Sequence, residues 1–326
     1  MKKSFKLFGA VLCILILPGY GQNRETDYLS HVLEKMNAVE SVTYHCVKKA
    51  WEPGDKEPVY SVPTEIYEHV NPQDTAVGYS FLCASDKEFR QPLWVYDGTV
   101  FAYIEKEEKE VRIDDFTQKS PLPFRIIMPE AFGCMKSILE YALNTQDSIV
   151  LSLKDEGKDY LMELSIHTPY QVEFFGKACY MPQNPYIYDP TSIYKIWISK
   201  ENDMPYRYRR EMQHSISEGI CSDFVYNPSG KGKIVAEDYY PADYVRRIKG
   251  EKSQKATVDM TGKKAPDWTL IDMNGQKVSL SGIKSKIILL QFTGIGCGPC
   301  KISIPFLNRL KKEYAVNELE VLAVET

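Results

Sequence analysis

The sequence predicts two folded units of different class, an α+β unit in residues 23–248 and an incomplete α/β unit in residues 265–326. In the first unit, short segments with apolar residues at every second position are separated by turn residues, which is typical of antiparallel strands. In the second, an uninterrupted apolar segment precedes a helical pattern, which is typical of a strand in a parallel sheet. A chain of 326 residues is long enough for two such units.

Composition and charge restrict the classes of partner. The chain has 44% hydrophobic and 26% charged residues, as globular proteins do, and its 22 tyrosines fit a β-rich body. Its formal net charge is −4, with 40 basic against 44 acidic residues. Without a basic excess, neither a nucleic acid nor an anionic membrane surface is expected as a partner.

The first 21 residues have the pattern of a secretory signal. Three lysines precede an apolar run at residues 7–17, a proline ends the run, and small residues follow at positions 19 and 21. A membrane anchor is the alternative, but the run is too short to span a bilayer comfortably. We expect residues 1–21 to be cleaved and the remaining protein to be periplasmic or otherwise extracytoplasmic.

Periodicity and turn residues define the elements of the first unit. All six residues at positions 105–110 are charged, and they are predicted to form the solvated tip of a hairpin. The unit is predicted to contain, in order, a helix capped by Asp27, a strand at Ser41–Trp51, a hairpin turning at Asp97-Gly98, a helix at about 129–143, a hairpin turning at Glu156-Gly157, and paired strands at Ile193–Ser199 and Tyr206–Met212.

Residues suited to metal or redox chemistry are scattered through this unit. The five histidines show no metal-ligand spacing. Tyrosines at positions 180, 186, 188, 239 and 240 could line a ligand cleft, but we assign them to the core. Five cysteines lie far apart in apolar segments, which predicts mostly buried thiols and leaves room for one disulfide pair. These are Cys46, Cys83, Cys134, Cys179 and Cys221.

The first unit resembles the LolA-like family of exported lipid- and lipoprotein-binding domains. The resemblance rests on the order of elements and on Lys195–Ser199 followed by Met204–Arg207, where a strand ends near an acidic turn and a proline starts the next strand. It implies a curved half-barrel sheet wrapped around helices. It also implies an apolar ligand or a lipoprotein as partner.

A polar, charged linker at residues 249–264 separates the two units. After it, Asn274-Gly275 predicts a hairpin, and Ile287–Phe292 predicts a strand buried on both faces of a sheet. A helix follows to about Tyr314, with an apolar face that includes Ile304, and a further strand ends near residue 324. The result is a β-loop-α-β unit, whose crossover is right-handed in nearly all proteins.

A CxxC motif, Cys297-Gly298-Pro299-Cys300, stands at the start of this helix. The positive end of the helix dipole stabilises a thiolate there, so we expect a lowered pKa for Cys297 and a role as nucleophile. Cys300 lies about one turn further on and is expected to resolve the mixed disulfide, leaving a redox-active Cys297–Cys300 disulfide. Gly298 and Pro299 are expected to support the tight turn from the loop into the helix. A proline in the first helical turn loses no hydrogen bond.

The second unit resembles the TlpA/ResA-like branch of exported thioredoxin-fold reductases. The resemblance implies a thioredoxin fold, exchange with protein disulfide substrates and reduction by an upstream membrane electron donor, with no cofactor. It also gives Pro305 a supporting role, because that family has a proline at this place. The matching residues are Ala265–Leu270, Asn274-Gly275, Val278–Leu280, Ile287–Phe292, the CGPC motif and Ile304-Pro305.

The sequence departs from that family at three places. Gly296 replaces the usual aromatic residue before the first cysteine, and Gln291 replaces the buried acid that accepts a proton from the second cysteine in many thioredoxins. An amide cannot act as a general base. The family's cis-proline loop, two further strands and closing helix do not follow within residues 1–326, so we expect a fragment, a truncated product or a degenerate reductase.

Three other interpretations of the CxxC motif are weaker. A structural zinc site needs a second ligand pair, and neither Cys nor His follows Cys300. A peroxiredoxin would have Thr or Ser three residues before its reactive cysteine, where this chain has Gly294. A purely structural disulfide is the third interpretation. The sequence favours an exported thiol–disulfide oxidoreductase, and the alternative is an apolar-ligand or lipoprotein carrier with a vestigial redox module.

Overall fold

The computed structural model describes residues 20–52, 54–117, 124–183, 189–251, 259–294 and 297–325. The predicted signal at 1–21 therefore lies almost entirely outside the described residues. Gly296 and the tyrosines at positions 186 and 188 lie outside them as well. The predicted linker at 249–264 is described only in part.

The first unit is dominated by strands and contains two α-helices among its described residues. A single 3₁₀ turn, Ala236–Tyr239, precedes its last strand. In chain order the elements are α1 (Tyr20–Asn37), β1 (Ser41–Trp51), β2 (Tyr60–Val70), β3 (Tyr79–Ala84), β4 (Pro92–Tyr96), β5 (Val100–Glu105), β6 (Glu110–Asp115), α2 (Ala131–Asn144), β7 (Ile149–Asp155), β8 (Asp159–Ile166), β9 (Val172–Phe174), β10 (Ala178–Tyr180), β11 (Ser192–Ser199), β12 (Met204–Met212), β13 (Ser215–Tyr226) and β14 (Val245–Ile248).

Twelve of these strands form one sheet in the order β14-β6-β5-β4-β3-β2-β1-β13-β12-β11-β8-β7. Neighbouring strands are antiparallel except β14, which runs parallel to β6 at one edge. The strands β9 and β10 pair only with each other. In the middle of the sheet, β1 pairs with β2 on one side and with β13 on the other. The pairing of β1 with β13 joins the first and last long strands of this unit. The antiparallel sheet with two helices confirms the predicted α+β class.

Both helices pack on one face of the sheet. Buried side chains of seven neighbouring strands form one apolar core with the two helices. In sheet order these strands are β3, β2, β1, β13, β12, β11 and β8. Seven strands spaced about 4.8 Å apart would extend ~30 Å if flat, so the sheet must curve around the helices for all of them to contribute. The helical residues at the centre of this core are Leu29, Val32 and Met36 of α1 and Phe132, Met135 and Ile138 of α2.

Most predicted elements of this unit are observed. The strand at Ser41–Trp51 has the predicted bounds, and the turn at Asp97-Gly98 joins β4 to β5. The helix cap at Asp27 was a wrong prediction, because α1 begins at Tyr20 and continues through Asp27 without a helix-breaking residue. The charged run forms an exposed turn at 106–109 as predicted.

Glu110 at the end of that charged run is an exception, because only 7% of it is exposed. Its carboxylate binds Arg112 at 3.2 Å and also pairs with Arg247 of β14. The ion pair with Arg247 links the parallel edge strand β14 to the hairpin of β5 and β6. A residue predicted to be solvated therefore helps to close one edge of the sheet.

The second unit comprises β15 (Thr269–Ile271), β16 (Lys277–Ser279), a 3₁₀ turn (Leu280–Gly282), β17 (Ile287–Thr293), α3 (Gly298–Glu313) and β18 (Leu319–Glu325). β15 and β16 are an antiparallel hairpin, and β17 pairs in parallel with β18. The β-loop-α-β unit is thus confirmed. No described helix anywhere in the chain is long and apolar enough to cross a membrane.

The expected burial of this unit was partly wrong. Ile287 and Phe292 of β17 are 62% and 65% exposed, although we expected a strand buried on both faces. Within the described residues, β17 is hydrogen-bonded only to β18, and such a two-stranded sheet cannot enclose both of its faces. On α3, Leu307 and Leu310 are half-buried, whereas Ile304, which we expected on the apolar face, is 48% exposed.

Candidate active site

Cys297 is the N-cap residue of α3 and follows the loop that leaves β17. Its Sγ accepts a hydrogen bond from the backbone N–H of Cys300, at 3.2 Å. Pro299 lies in the first helical turn, where no hydrogen bond is lost. A sulfur at this position faces the unpaired N–H groups of a helix start, which stabilise negative charge.

The two cysteines are joined by a disulfide, and their Cα atoms are 5.3 Å apart. That separation lies in the usual range for disulfides. Both cysteines are half-buried, so the pair is neither enclosed in a core nor fully solvated. The structure thus brings together the two residues that the sequence predicted to carry the chemistry, in the oxidised state.

A small polar network lies beside Cys300. The Nε2 of Gln291 donates to the carbonyl oxygen of Cys300 at 3.4 Å. The Ser303 hydroxyl lies 2.9 Å from the Oε1 of Gln291 and 2.7 Å from the same Cys300 carbonyl, and its single hydrogen can serve one acceptor at a time. Gln291 therefore contacts the backbone of the first turn of α3. An acid at the same position could accept a proton, which the amide cannot do.

Sequence reasoning missed Ser303. Ser303 follows Cys300 by three residues, so the two lie on the same side of the helix. This spacing could have indicated that Ser303 belongs to the site. The predicted supporting residue Pro305 lies inside α3 at an exposed position. It removes one helical hydrogen bond one turn beyond the cysteines, so its direct effect is on the helix backbone.

A second polar cluster lies at the start of α2, far from the CxxC motif in sequence. Glu68 of β2 is fully buried, and its carboxylate accepts hydrogen bonds from the backbone N–H groups of Phe132 and Gly133, at 2.9 and 3.0 Å, and from the Tyr44 hydroxyl. Burial raises the pKa of Glu68 to about 7, and the hydrogen bonds from Tyr44 and the backbone only partly offset that rise.

Glu130 precedes α2 and forms the other half of this cluster. It is 6% exposed, pairs with Lys48 and accepts a hydrogen bond from the Trp94 indole N–H at 2.8 Å. Burial alone would lower the pKa of Lys48, but the charge of Glu130 raises it overall. The sequence contained one signal for this cluster. Glu68 lies two residues after Ile66, so its carboxylate is on the apolar face of β2.

An apolar cavity of about 450 Å³ opens beside the β9–β10 hairpin. Tyr180 is 46% exposed in its wall, so the assignment of this tyrosine to the core was wrong. The hydroxyls of Tyr180 and Tyr141 both donate to the same oxygen of Asp147 at the cavity edge. The other residues in the wall are Phe124, Thr168, Pro169, Tyr170, Met181 and Pro182.

The fold and the CxxC motif define the C-terminal segment as thioredoxin-like. Residues 261–326 match the AhpC/TSA family. The segment is 34% identical over 64 residues to the thiol-disulfide oxidoreductase ResA of Bacillus thuringiensis, covering 20% of this chain and 37% of that protein. A stretch of 72 residues of this chain is 40% identical to the thioredoxin-like protein YneN of Bacillus subtilis, covering 22% of this chain and 42% of that protein. The chain thus spans about two fifths of the length of these relatives.

Solved structures similar to the larger part of the chain are distant. A DUF1329 family protein from Desulfovibrio piger has a TM-score of 0.34 at 10% identity, covering 68% of this chain and 97% of that chain. A LolA superfamily protein from Nitrosomonas europaea has a TM-score of 0.25 at 9% identity, covering 67% and 99%. The architecture of the first unit is defined by its own strand order.

Proposed function

We propose that this protein is an extracytoplasmic thiol–disulfide oxidoreductase that uses Cys297 and Cys300. The observation that carries the proposal is the position of Cys297 as N-cap of α3, with its sulfur accepting the Cys300 N–H. Such a sulfur is a stabilised thiolate when the disulfide is open. The similarity of this segment to ResA supports the same reaction.

In the proposed reaction, the Cys297 thiolate attacks one sulfur of a substrate disulfide and releases the other as a thiolate. The Cys300 thiolate then attacks the Cys297 sulfur, releases the second substrate thiol and leaves the Cys297–Cys300 disulfide. Two electrons pass to the substrate, so a dithiol donor must reduce the pair again. We propose protein disulfides as substrates and a membrane electron donor as reductant.

Gln291 distinguishes this site within the proposed reaction. Its amide cannot take the proton that leaves Cys300, so that proton must pass to solvent water. The half-buried position of Cys300 allows such a route. Ser303 and Gln291 instead fix the Cys300 backbone, which supports the geometry of the resolving step.

We further propose that the two units are separated by the linker at 249–264 and that residues 1–21 direct export. A disulfide-exchange protein needs a compartment in which disulfides form, and export supplies one.

The carrier function remains a second candidate because of the cavity beside Tyr180, whose wall is mainly aromatic and apolar. An apolar ligand would fit such a wall.

The reductase proposal is tested by the reduction of insulin with dithiothreitol, followed as turbidity. The full chain should accelerate the reaction, and Cys297→Ser should abolish the acceleration. Cys179→Ser is the matched control, since Cys179 is a buried thiol on β10, and it should keep the activity. Equal curves for the wild type and Cys297→Ser would refute the proposal.

The carrier proposal needs a separate measurement. The purified chain is extracted with organic solvent and searched by mass spectrometry for bound lipid. Tyr180→Asp, which places a charge in the cavity wall, should lower the recovered lipid. Recovery of no lipid from either protein would speak against a carrier.

A further inference from the structure

Two buried thiols face each other in the middle of the large sheet. Cys46 of β1 and Cys221 of β13 are directly opposite in the antiparallel register, between the pairs His45–Ser222 and Val47–Ile220. Both side chains point to the core, with exposed fractions of 0% and 4%. Both residues belong to the same buried apolar cluster, so the two side chains lie on the same face of the strand pair.

The backbone at this place suits a covalent link. Residues directly opposite in antiparallel strands have Cα atoms about 4.5–5.5 Å apart, within the range of about 4.4–6.8 Å that disulfides require. A β-bulge lies next to the pair, where the register shifts between Thr43 and His45. Asp223, two residues beyond Cys221, has a φ of +57° in this irregular stretch. Such a bulge lets the two strands adjust locally.

The other buried thiols are placed less favourably. Cys83 lies on β3, two strands away from β1, which corresponds to about 9.6 Å between the strand axes. Cys134 lies on α2 above the sheet, and Cys179 lies on the separate β9–β10 hairpin. Among the five free thiols that the structure describes, one pair is therefore in register on adjacent strands.

We propose that Cys46 and Cys221 are a second dithiol site, which closes to a cross-strand disulfide in the presence of a small-molecule disulfide such as oxidised glutathione. One thiolate attacks the glutathione disulfide and releases one glutathione thiol. The other thiolate attacks the mixed disulfide, forms the Cys46–Cys221 bond and releases the second. Two protein thiols are oxidised, one disulfide is reduced to two thiols, and the two protons lost by the protein thiols are taken up by the two glutathione thiols.

The burial of the pair determines when it can react. In the folded sheet the thiols are covered by the helices, so exchange with a soluble disulfide requires local opening. During refolding the strands are still accessible, and the bond can form before the core closes. The bond would connect strands 175 positions apart in the chain, and closing so long a loop constrains the unfolded state strongly.

The test uses the full chain with Cys297→Ser and Cys300→Ser, so that the CxxC motif contributes no thiols. Reduced protein is refolded from guanidinium in glutathione buffers of increasing oxidised fraction. The free thiols are then alkylated under denaturing conditions, and the digest is analysed by mass spectrometry. We expect a linked peptide containing Cys46 and Cys221, with Cys83, Cys134 and Cys179 alkylated.

A second measurement compares the unfolding of the oxidised and reduced forms. The disulfide should lower the unfolding equilibrium constant roughly 30-fold or more. Cys83→Ala should retain this difference, and Cys221→Ala should remove it. Alkylation of both Cys46 and Cys221 in every buffer, or their linkage to other cysteines, would overturn the proposal. Because the CxxC motif is absent throughout, the outcome is independent of the proposed reductase activity.

Discussion

Ser303 lies 2.9 Å from the side-chain oxygen of Gln291, and both residues contact the carbonyl of Cys300. Of these residues, Gln291 stands at the position where many thioredoxins have an acid. Gln291 and Ser303 hold Cys300 by its backbone, and neither side chain can act as a general base for the Cys300 thiol. The resolving step is therefore the step at which this site should differ from a thioredoxin with the acid.

Gln291→Glu should accelerate that step. A carboxylate near Cys300 can accept its proton, and we expect a gain of roughly tenfold at neutral pH. An aromatic disulfide that releases a coloured thiol at each step separates attack by Cys297 from resolution by Cys300 in stopped-flow traces. The second phase should accelerate and the first should not.

Gln291→Leu is the control for that experiment, because leucine removes the contact with Ser303 and cannot accept a proton. It should slow the second phase or leave it unchanged. An unchanged second phase in Gln291→Glu would show that proton transfer does not limit resolution.

Glu68 should make the stability of the first unit depend on pH. Its folded pKa of about 7 lies above the usual value of 4.5, so folding favours the protonated carboxyl. The contribution is fully present below pH 4.5 and is lost as pH rises through about 7, with a total of about 3 kcal/mol. Urea unfolding at pH 5 and pH 8 measures it.

Other groups titrate in the same interval, so the comparison with Glu68→Gln isolates this carboxyl. Glutamine keeps the shape and an acceptor oxygen for the N–H groups of Phe132 and Gly133, but it has no charge to desolvate. The variant should lose less stability than the wild type between the two pH values. Parallel pH profiles of the two proteins would contradict the assignment.

Lys48→Met should destabilise the first unit by about 3–5 kcal/mol, because it leaves the Glu130 carboxylate buried without its counter-charge. Adding Glu130→Gln should recover a large part of the loss. The four proteins of this double-mutant cycle are compared by guanidinium unfolding. Equal losses for the single and double variants would indicate that the ion pair is not the cause.

Gly176→Ala should destabilise the protein more than Gly157→Ala. Both glycines have a φ near +80°, so the backbone cost of about 1 kcal/mol is shared. A Cβ at Gly176 would lie 2.1 Å from the Val77 carbonyl oxygen, whereas nothing lies within 4 Å at Gly157. We expect a further loss of about 2 kcal/mol at Gly176. Thermal unfolding of both variants checks the difference, and equal shifts would be inconsistent with it.

Local elements could be predicted from the sequence, and long-range pairing could not. The turn at Asp97-Gly98 and the position of Cys297 follow from residues adjacent in the chain. The pairing of β1 with β13 joins segments about 175 residues apart, and no local pattern specifies it. Nor could local patterns assign Glu68 a partner, because the N–H groups that it binds belong to α2.

The central position of β1 has a consequence for the order of folding. β1 leaves the ribosome well before one of its two neighbours, β13, which ends at Tyr226. Until β13 has been synthesised, one edge of β1 remains open. Open strand edges attract other chains, so the nascent protein should depend on chaperones that cover this edge until the later strands arrive.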